Sequence, residues 1–123
     1  MGRSESSLSK ELYMTEEELA SLVSRGFYVG SHTDSHRWLN TLPEEVQKRE
    51  IETSVNALSS IRGDDDRWIM CYPFGAFNET TLAILERMNF SLALTTRVGS
   101  VNIVSEPLGK FQLPRRNTND YPQ

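Results

Sequence analysis

Trp68-Ile69-Met70-Cys71-Tyr72-Pro73-Phe74-Gly75 is the stretch on which the fold turns. Its first five positions are all apolar or aromatic, as a strand covered on both faces of a parallel sheet requires. Pro73 and Gly75 then flank an aromatic residue and force a sharp turn at the carboxyl end of that strand. Upstream, Pro43 suits a first helical position, and Glu44 and Glu45 suit the positive end of a helix dipole. Ile51, Val55 and Leu58 share one face, so the spacing predicts a helix over 43–61 that Gly63 ends. Asp64-Asp65-Asp66 reads as a solvated loop leading into the strand. Downstream, Asn78 caps a helix with the stripe Leu82, Leu85 and Met88. A strand is expected at 91–96, and 101–104 offers another.

Toward the amino terminus, Thr15-Glu16-Glu17-Glu18 forms a capping box, in which the Thr hydroxyl and a Glu carboxylate each satisfy an orphan amide. Leu19, Leu22 and Val23 follow as an apolar stripe, and Gly26 closes the helix. Phe27-Tyr28-Val29-Gly30-Ser31 reads as a strand. Residues 1–10 are polar and serine-rich, which predicts a loose tail before a single domain spanning 11–123. Helices alternating with strands over short connections predict an α/β fold, a parallel sheet with flanking helices.

Composition narrows the function. The chain has 123 residues, 37% of them apolar, which suffices for one core. Its net charge is −4, and Arg115-Arg116 is its densest basic patch, so nucleic acid and anionic membrane are not expected partners. The apolar run at 68–74 falls far short of the roughly 18 residues of a spanning helix. A single cysteine, Cys71, forms no internal disulfide and reads as a small core residue. Met1 to Ser7 has no signal-peptide core, so the chain as written is expected in the cytoplasm.

Both histidines lie in one five-residue window, His32-Thr33-Asp34-Ser35-His36, directly after an expected strand. An i,i+4 spacing lets both imidazoles grip one metal ion if the backbone turns there; two neighbouring polar loop residues are the other reading. Tyr72-Pro73-Phe74-Gly75 similarly supports two readings. It is a plain strand-ending turn, or one that aims a backbone N–H as an oxyanion donor.

Together these segments resemble the polysaccharide deacetylase family, the NodB-homology group of carbohydrate esterase family four. Gly30-Ser31-His32-Thr33-Asp34-Ser35-His36 is similar to the family's His-Ser/Thr-x-x-His metal motif, and Tyr72-Pro73-Phe74-Gly75 to its third motif. Leu113-Pro114-Arg115 resembles a later family segment. The resemblance implies a metal-dependent hydrolase removing acetyl groups from amino sugars, built on a distorted β/α barrel. His32 and His36 would bind a divalent ion, zinc or similar, and Phe74 would supply the oxyanion N–H within the Tyr72-Pro73-Phe74 turn. Thr33 would steady the loop by a local hydrogen bond, and Arg115 would support the site. The expected substrate is an acetylated amino-sugar oligomer or polymer.

The chain also departs from that family. No Asp-Asp pair precedes His32, Cys71 stands where the motif has arginine, and there is no third histidine. The expectation is a member without its opening strand and helix, hence an incomplete barrel with impaired catalysis, and a homo-oligomer in which a neighbour covers the gap. A non-catalytic metal- or glycan-binding module and a structural remnant are the alternatives.

Overall fold

The computed structural model describes residues 4–63, 65–102 and 104–121. Four helices and a two-stranded parallel sheet follow in chain order: α1 (Glu5–Leu12), α2 (Glu16–Ser24), α3 (Glu44–Arg62), β1 (Trp68–Cys71), α4 (Glu79–Arg87) and β2 (Phe90–Leu94). β1 pairs with β2 in the register Ile69↔Leu92, Met70↔Ala93 and Cys71↔Leu94. Isolated parallel bridges extend the sheet on each side, Ser31↔Met70 next to β1 and Leu94↔Leu113 next to β2. The α/β class and the parallel pairing agree with the sequence reading.

Strand periodicity sorts the two faces. Met70 and Ala93 point into the helical layer and are fully buried with Ile51 of α3 and Leu85 of α4. Leu39, Phe90 and Phe111 complete the same cluster. Ile69, Cys71 and Leu94 alternate to the opposite face, where they are half-buried. The amphipathic stripes expected of α3 and α4 therefore pack on one side of the sheet only.

A buried polar network joins these two helices. Gln47 is completely buried; its amide nitrogen donates to the Leu42 carbonyl at 3.0 Å, and its amide oxygen accepts from the Thr81 hydroxyl at 2.6 Å. Asn78 caps α4 by accepting from the Thr81 N–H, and Thr81 accepts from the Asn78 N–H in return. The cap read from the sequence is thus also a strut between helices. The Thr15–Glu18 capping box forms as expected, and Gly26 ends α2 in the left-handed region with φ of 87°.

Three expectations change. Residues 27–30 form no strand, because the Tyr28 phenol replaces a neighbouring backbone: it accepts from the Ile69 N–H and donates to the Arg67 carbonyl, each at 2.8 Å. Only Ser31 reaches the ladder, donating to Ile69 O and accepting from Cys71 N–H. Nor are Val101, Asn102 and Val104, the described residues of the strand expected at 101–104, in a strand. Asn102 Oδ1 accepts from the Val104 N–H, making a side-chain turn, and Ile103 lies outside the described residues. Finally, the polar opening expected as a loose tail is helical from Glu5 to Leu12, capped by Ser4, with none of its residues buried.

Candidate active site

The loop from Ser31 to His36 leaves the sheet beside the carboxyl end of β1, and the sheet itself holds its first residue. Beyond it, His32 Nδ1 lies 2.6 Å from the Cys71 carbonyl oxygen. A carbonyl only accepts, so Nδ1 carries the proton, and a neutral ring then keeps its lone pair on Nε2. That is the tautomer a metal-ligating imidazole adopts. The His36 ring lies 4.8 Å from it, centroid to centroid, and Thr33 and His36 both adopt left-handed backbone conformations, with φ of 66° and 54°. The i,i+4 pair is therefore brought together by a strained loop rather than by a turn of helix.

That loop is held from α3. The Glu50 carboxylate accepts from the Ser35 N–H at 2.8 Å and from the Ser35 hydroxyl at 2.6 Å. Burial pushes the Glu50 carboxyl up, but the Ser35 hydrogen bonds and the Arg37 charge outweigh it and hold it below the usual carboxylate range. Ser31 Oγ meets Ser54 Oγ of α3 at 3.0 Å. The hydrogen bond expected of Thr33 is not found: its Oγ1 is buried with no partner among the described residues. Ser35 and Glu50 steady the loop instead. The sequence reading missed both; the signal was an acidic residue on the apolar stripe of α3, directly before Ile51.

Phe74 sits in a one-turn 3-10 segment, Pro73–Gly75, with φ 59° and ψ 10°. Its N–H bonds to no acceptor among the described residues, whereas the Gly75 and Ala76 N–H groups close the turn onto Tyr72 and Pro73. Gly75 is required there: a Cβ would lie 2.2 Å from Thr96 Oγ1. The Phe74 ring contacts His36 at 4.7 Å, so the turn and the histidine loop meet. Tyr72 belongs to the core instead, donating its hydroxyl to Phe111 O at 2.8 Å, and burial raises its pKa. Pro73 is buried beneath the turn.

His32 and Arg115 line one cleft of about 510 Å³, floored by Ile69, Cys71 and Leu94 on the open face of the sheet. The Arg115 N–H donates to Arg97 O at 2.8 Å, which fixes the chain carrying it. The structure thus brings His32, His36 and Phe74 together, with Arg115 across the cleft.

The donor set fits two positions of a tetrahedral zinc site. The His32 tautomer is correct, and His36 lies beside it. Among the described residues, no cluster of three His, Cys, Asp or Glu side chains completes such a site. A structural or catalytic zinc takes at least three protein ligands.

The polysaccharide deacetylase family model matches residues 5–93, which include both histidines and the Phe74 turn. The chain belongs to the polysaccharide deacetylase family. Over 109 residues it is 28% identical to YxkH of Bacillus subtilis, provisionally named a polysaccharide deacetylase, covering 89% of this chain and 38% of YxkH. The deacetylase PplD of Streptococcus pyogenes, solved in complex with acetate, superposes with a TM-score of 0.76 at 26% identity, over 89% of this chain and 46% of PplD. A Bacillus anthracis structure provisionally named a polysaccharide deacetylase shares the fold, with a TM-score of 0.74 at 23% identity over 87% of this chain and 33% of its own. This deacetylase-family chain therefore spans less than half the length of these relatives, and its parallel sheet is part of their larger fold.

Proposed function

We propose that the chain carries the metal-binding and oxyanion-stabilising half of a deacetylase site acting on acetylated amino-sugar oligomers or polymers. The observation that carries this reading is one junction. Two imidazoles, one with Nε2 left free because Nδ1 bonds Cys71 O, meet a turn whose Phe74 N–H has no acceptor among the described residues. Acetate, bound in PplD, is what acetyl hydrolysis releases.

His32 Nε2 and His36 would hold a divalent ion, zinc by the chemistry of the donors. When bound, that ion supplies Lewis-acid activation of the acetyl group and of water. The Phe74 N–H, fixed by its left-handed backbone, donates to the acetyl oxygen as charge develops there. This role belongs to the backbone, so Phe serves as well as Tyr. Arg115 places a positive charge across the cleft, where it orients an anionic or hydroxyl group of the substrate.

Among the described residues no third His, Cys, Asp or Glu groups with the imidazoles as a metal ligand, and no side chain is assigned as the base of proton transfer. A missing general base costs about 10²–10⁴-fold in rate, so the chain alone releases acetate slowly. The absent third ligand equally favours a second reading, a glycan-binding module with weak metal affinity. We also propose that a second copy pairs with the open edges of the short sheet, beside Ser31 and Leu113, since exposed sheet edges recruit partners.

Zinc titration by calorimetry, with acetate release from an N-acetylated chito-oligosaccharide, tests the proposal. The expected result is weak zinc binding that His32→Ala and His36→Ala each abolish, with slow, chelator-sensitive turnover. Zinc binding unchanged in both variants overturns the site. Zinc binding without any turnover leaves the binding-module reading. Sedimentation of a monomer at micromolar concentration overturns the self-association.

A further inference from the structure

Four aromatic rings run in series out of the metal-binding loop. His32 and His36 lie 4.8 Å apart, His36 and Phe74 4.7 Å apart, and Phe74 and Trp38 4.4 Å apart. The last pair is stacked, its planes 5° from parallel. Phe74 and Trp38 are nevertheless 49% and 51% exposed. Large apolar rings that stack on each other at the surface leave much of their area in water, unlike rings that pack inward.

The backbone at both ends of the pair is fixed. The Trp38 carbonyl accepts from the Thr41 N–H at 3.1 Å and from the Thr41 hydroxyl at 2.7 Å, and the next residue, Leu39, is fully buried. On the other side, the Pro73–Gly75 turn fixes Phe74. The indole is therefore presented on a rigid base, with little ordering left to be lost when something lands on it.

Its chemistry limits what that something is. A pyranose ring offers a flat, apolar face of C–H bonds and carries its hydroxyls round the rim. Such a face stacks on an indole while the rim stays hydrated. We propose that Trp38, backed by Phe74, is a stacking subsite for a pyranose ring of an amino-sugar oligomer, adjacent to the unit whose acetyl group lies at His32 and His36. The proposal takes its substrate class from the deacetylase reading but needs neither metal nor turnover. It makes Trp38 a determinant of oligomer length: a single sugar placed at the imidazoles does not reach the indole, and a longer oligomer does.

The test uses the metal-free chain and tetra-N-acetylchitotetraose, followed through the indole N–H resonances in NMR. The chain has two tryptophans, and Trp68 serves as internal control because its ring lies under the Arg62 guanidinium at 3.8 Å. The sugar is expected to shift the Trp38 signal and leave Trp68 in place. Trp38→Ala should weaken the tetramer about tenfold and Trp38→Phe should restore most of that loss, as expected of one stacking contact. Zinc affinity should be the same in both variants. Equal tetramer affinity in Trp38→Ala, or no binding at all, overturns the subsite. So does a Trp38 signal that follows protein concentration instead of sugar, since a second copy then occupies the rings. Loss of zinc binding with sugar binding intact removes the metal reading and leaves the subsite standing.

Discussion

The helical layer and the histidine loop at the carboxyl end of β1 are built to opposite rules. On the helical side, Met70, Ala93, Ile51 and Leu85 have no exposed surface, and the buried polar groups Gln47 and Thr81 are paired with each other. In and beside the histidine loop, Thr33, His36 and Phe74 hold left-handed backbones, Thr33 Oγ1 is buried with no partner among the described residues, and Phe74 and Trp38 stand half in water. Each such backbone costs of order 1–3 kcal/mol and persists only where the surroundings hold it. The difference teaches that the helical layer stabilises the chain and the loop spends part of that stability on geometry.

Core truncation is expected to have the largest effect. Leu85→Ala removes a fully buried side chain from the centre of the helical face and should destabilise by about 2–5 kcal/mol. Urea unfolding followed by circular dichroism measures this, and a loss below about 1 kcal/mol would show that this face is loosely packed.

The strap between α3 and the loop comes next. Glu50→Ala strands the Ser35 N–H and hydroxyl and should cost roughly 1.5–3 kcal/mol, as removing a hydrogen-bonded charged acceptor does. The folded carboxyl titrates below its ordinary value, so the stabilisation is full above the unfolded value of about 4.3 and is lost as pH falls through the lower folded value. Unfolding midpoints should therefore converge for wild type and Glu50→Ala at acid pH. A difference that persists unchanged down to pH about 2 breaks the assignment.

A smaller change, of opposite sign, is expected within the loop. Thr33→Asn places a residue tolerant of the left-handed region at φ 66° and gives the site a second polar atom for pairing. It should stabilise by roughly 0.5–1 kcal/mol, read by thermal unfolding. Destabilisation instead would mean that the Thr33 methyl packs productively and that the strain is not released.

The smallest stability effect belongs to a histidine. His32→Ala removes an exposed ring whose one hydrogen bond is to Cys71 O, and its unfolding free energy should stay within about 0.5 kcal/mol of wild type while zinc binding disappears. A large loss of stability would place His32 among the structural residues and erase the contrast between the two regions.

Several parts of this molecule were legible in the residues alone. The apolar run at 68–72 holds a strand, Trp68–Cys71, the stripes of α3 and α4 face a core, and Thr15 and Asn78 cap their helices, because each depends on residues close by in the chain. The window holding both histidines and the turn at Phe74 was equally plain, since proline, glycine and residue chemistry mark them locally. Other features came from partners far along the chain. Tyr28 displaces a strand by bonding residues 39 and 41 positions away, and Glu50 reaches 15 residues back to Ser35. The His32 tautomer depends on a carbonyl 39 residues distant, and the Trp38–Phe74 stack joins two loops. Local backbone preference and periodicity therefore determined the elements and named the candidate ligands. Tertiary structure alone decided which nitrogen faces outward, what holds the loop, and which rings stand beside it, because these depend on groups that only folding brings within hydrogen-bonding distance.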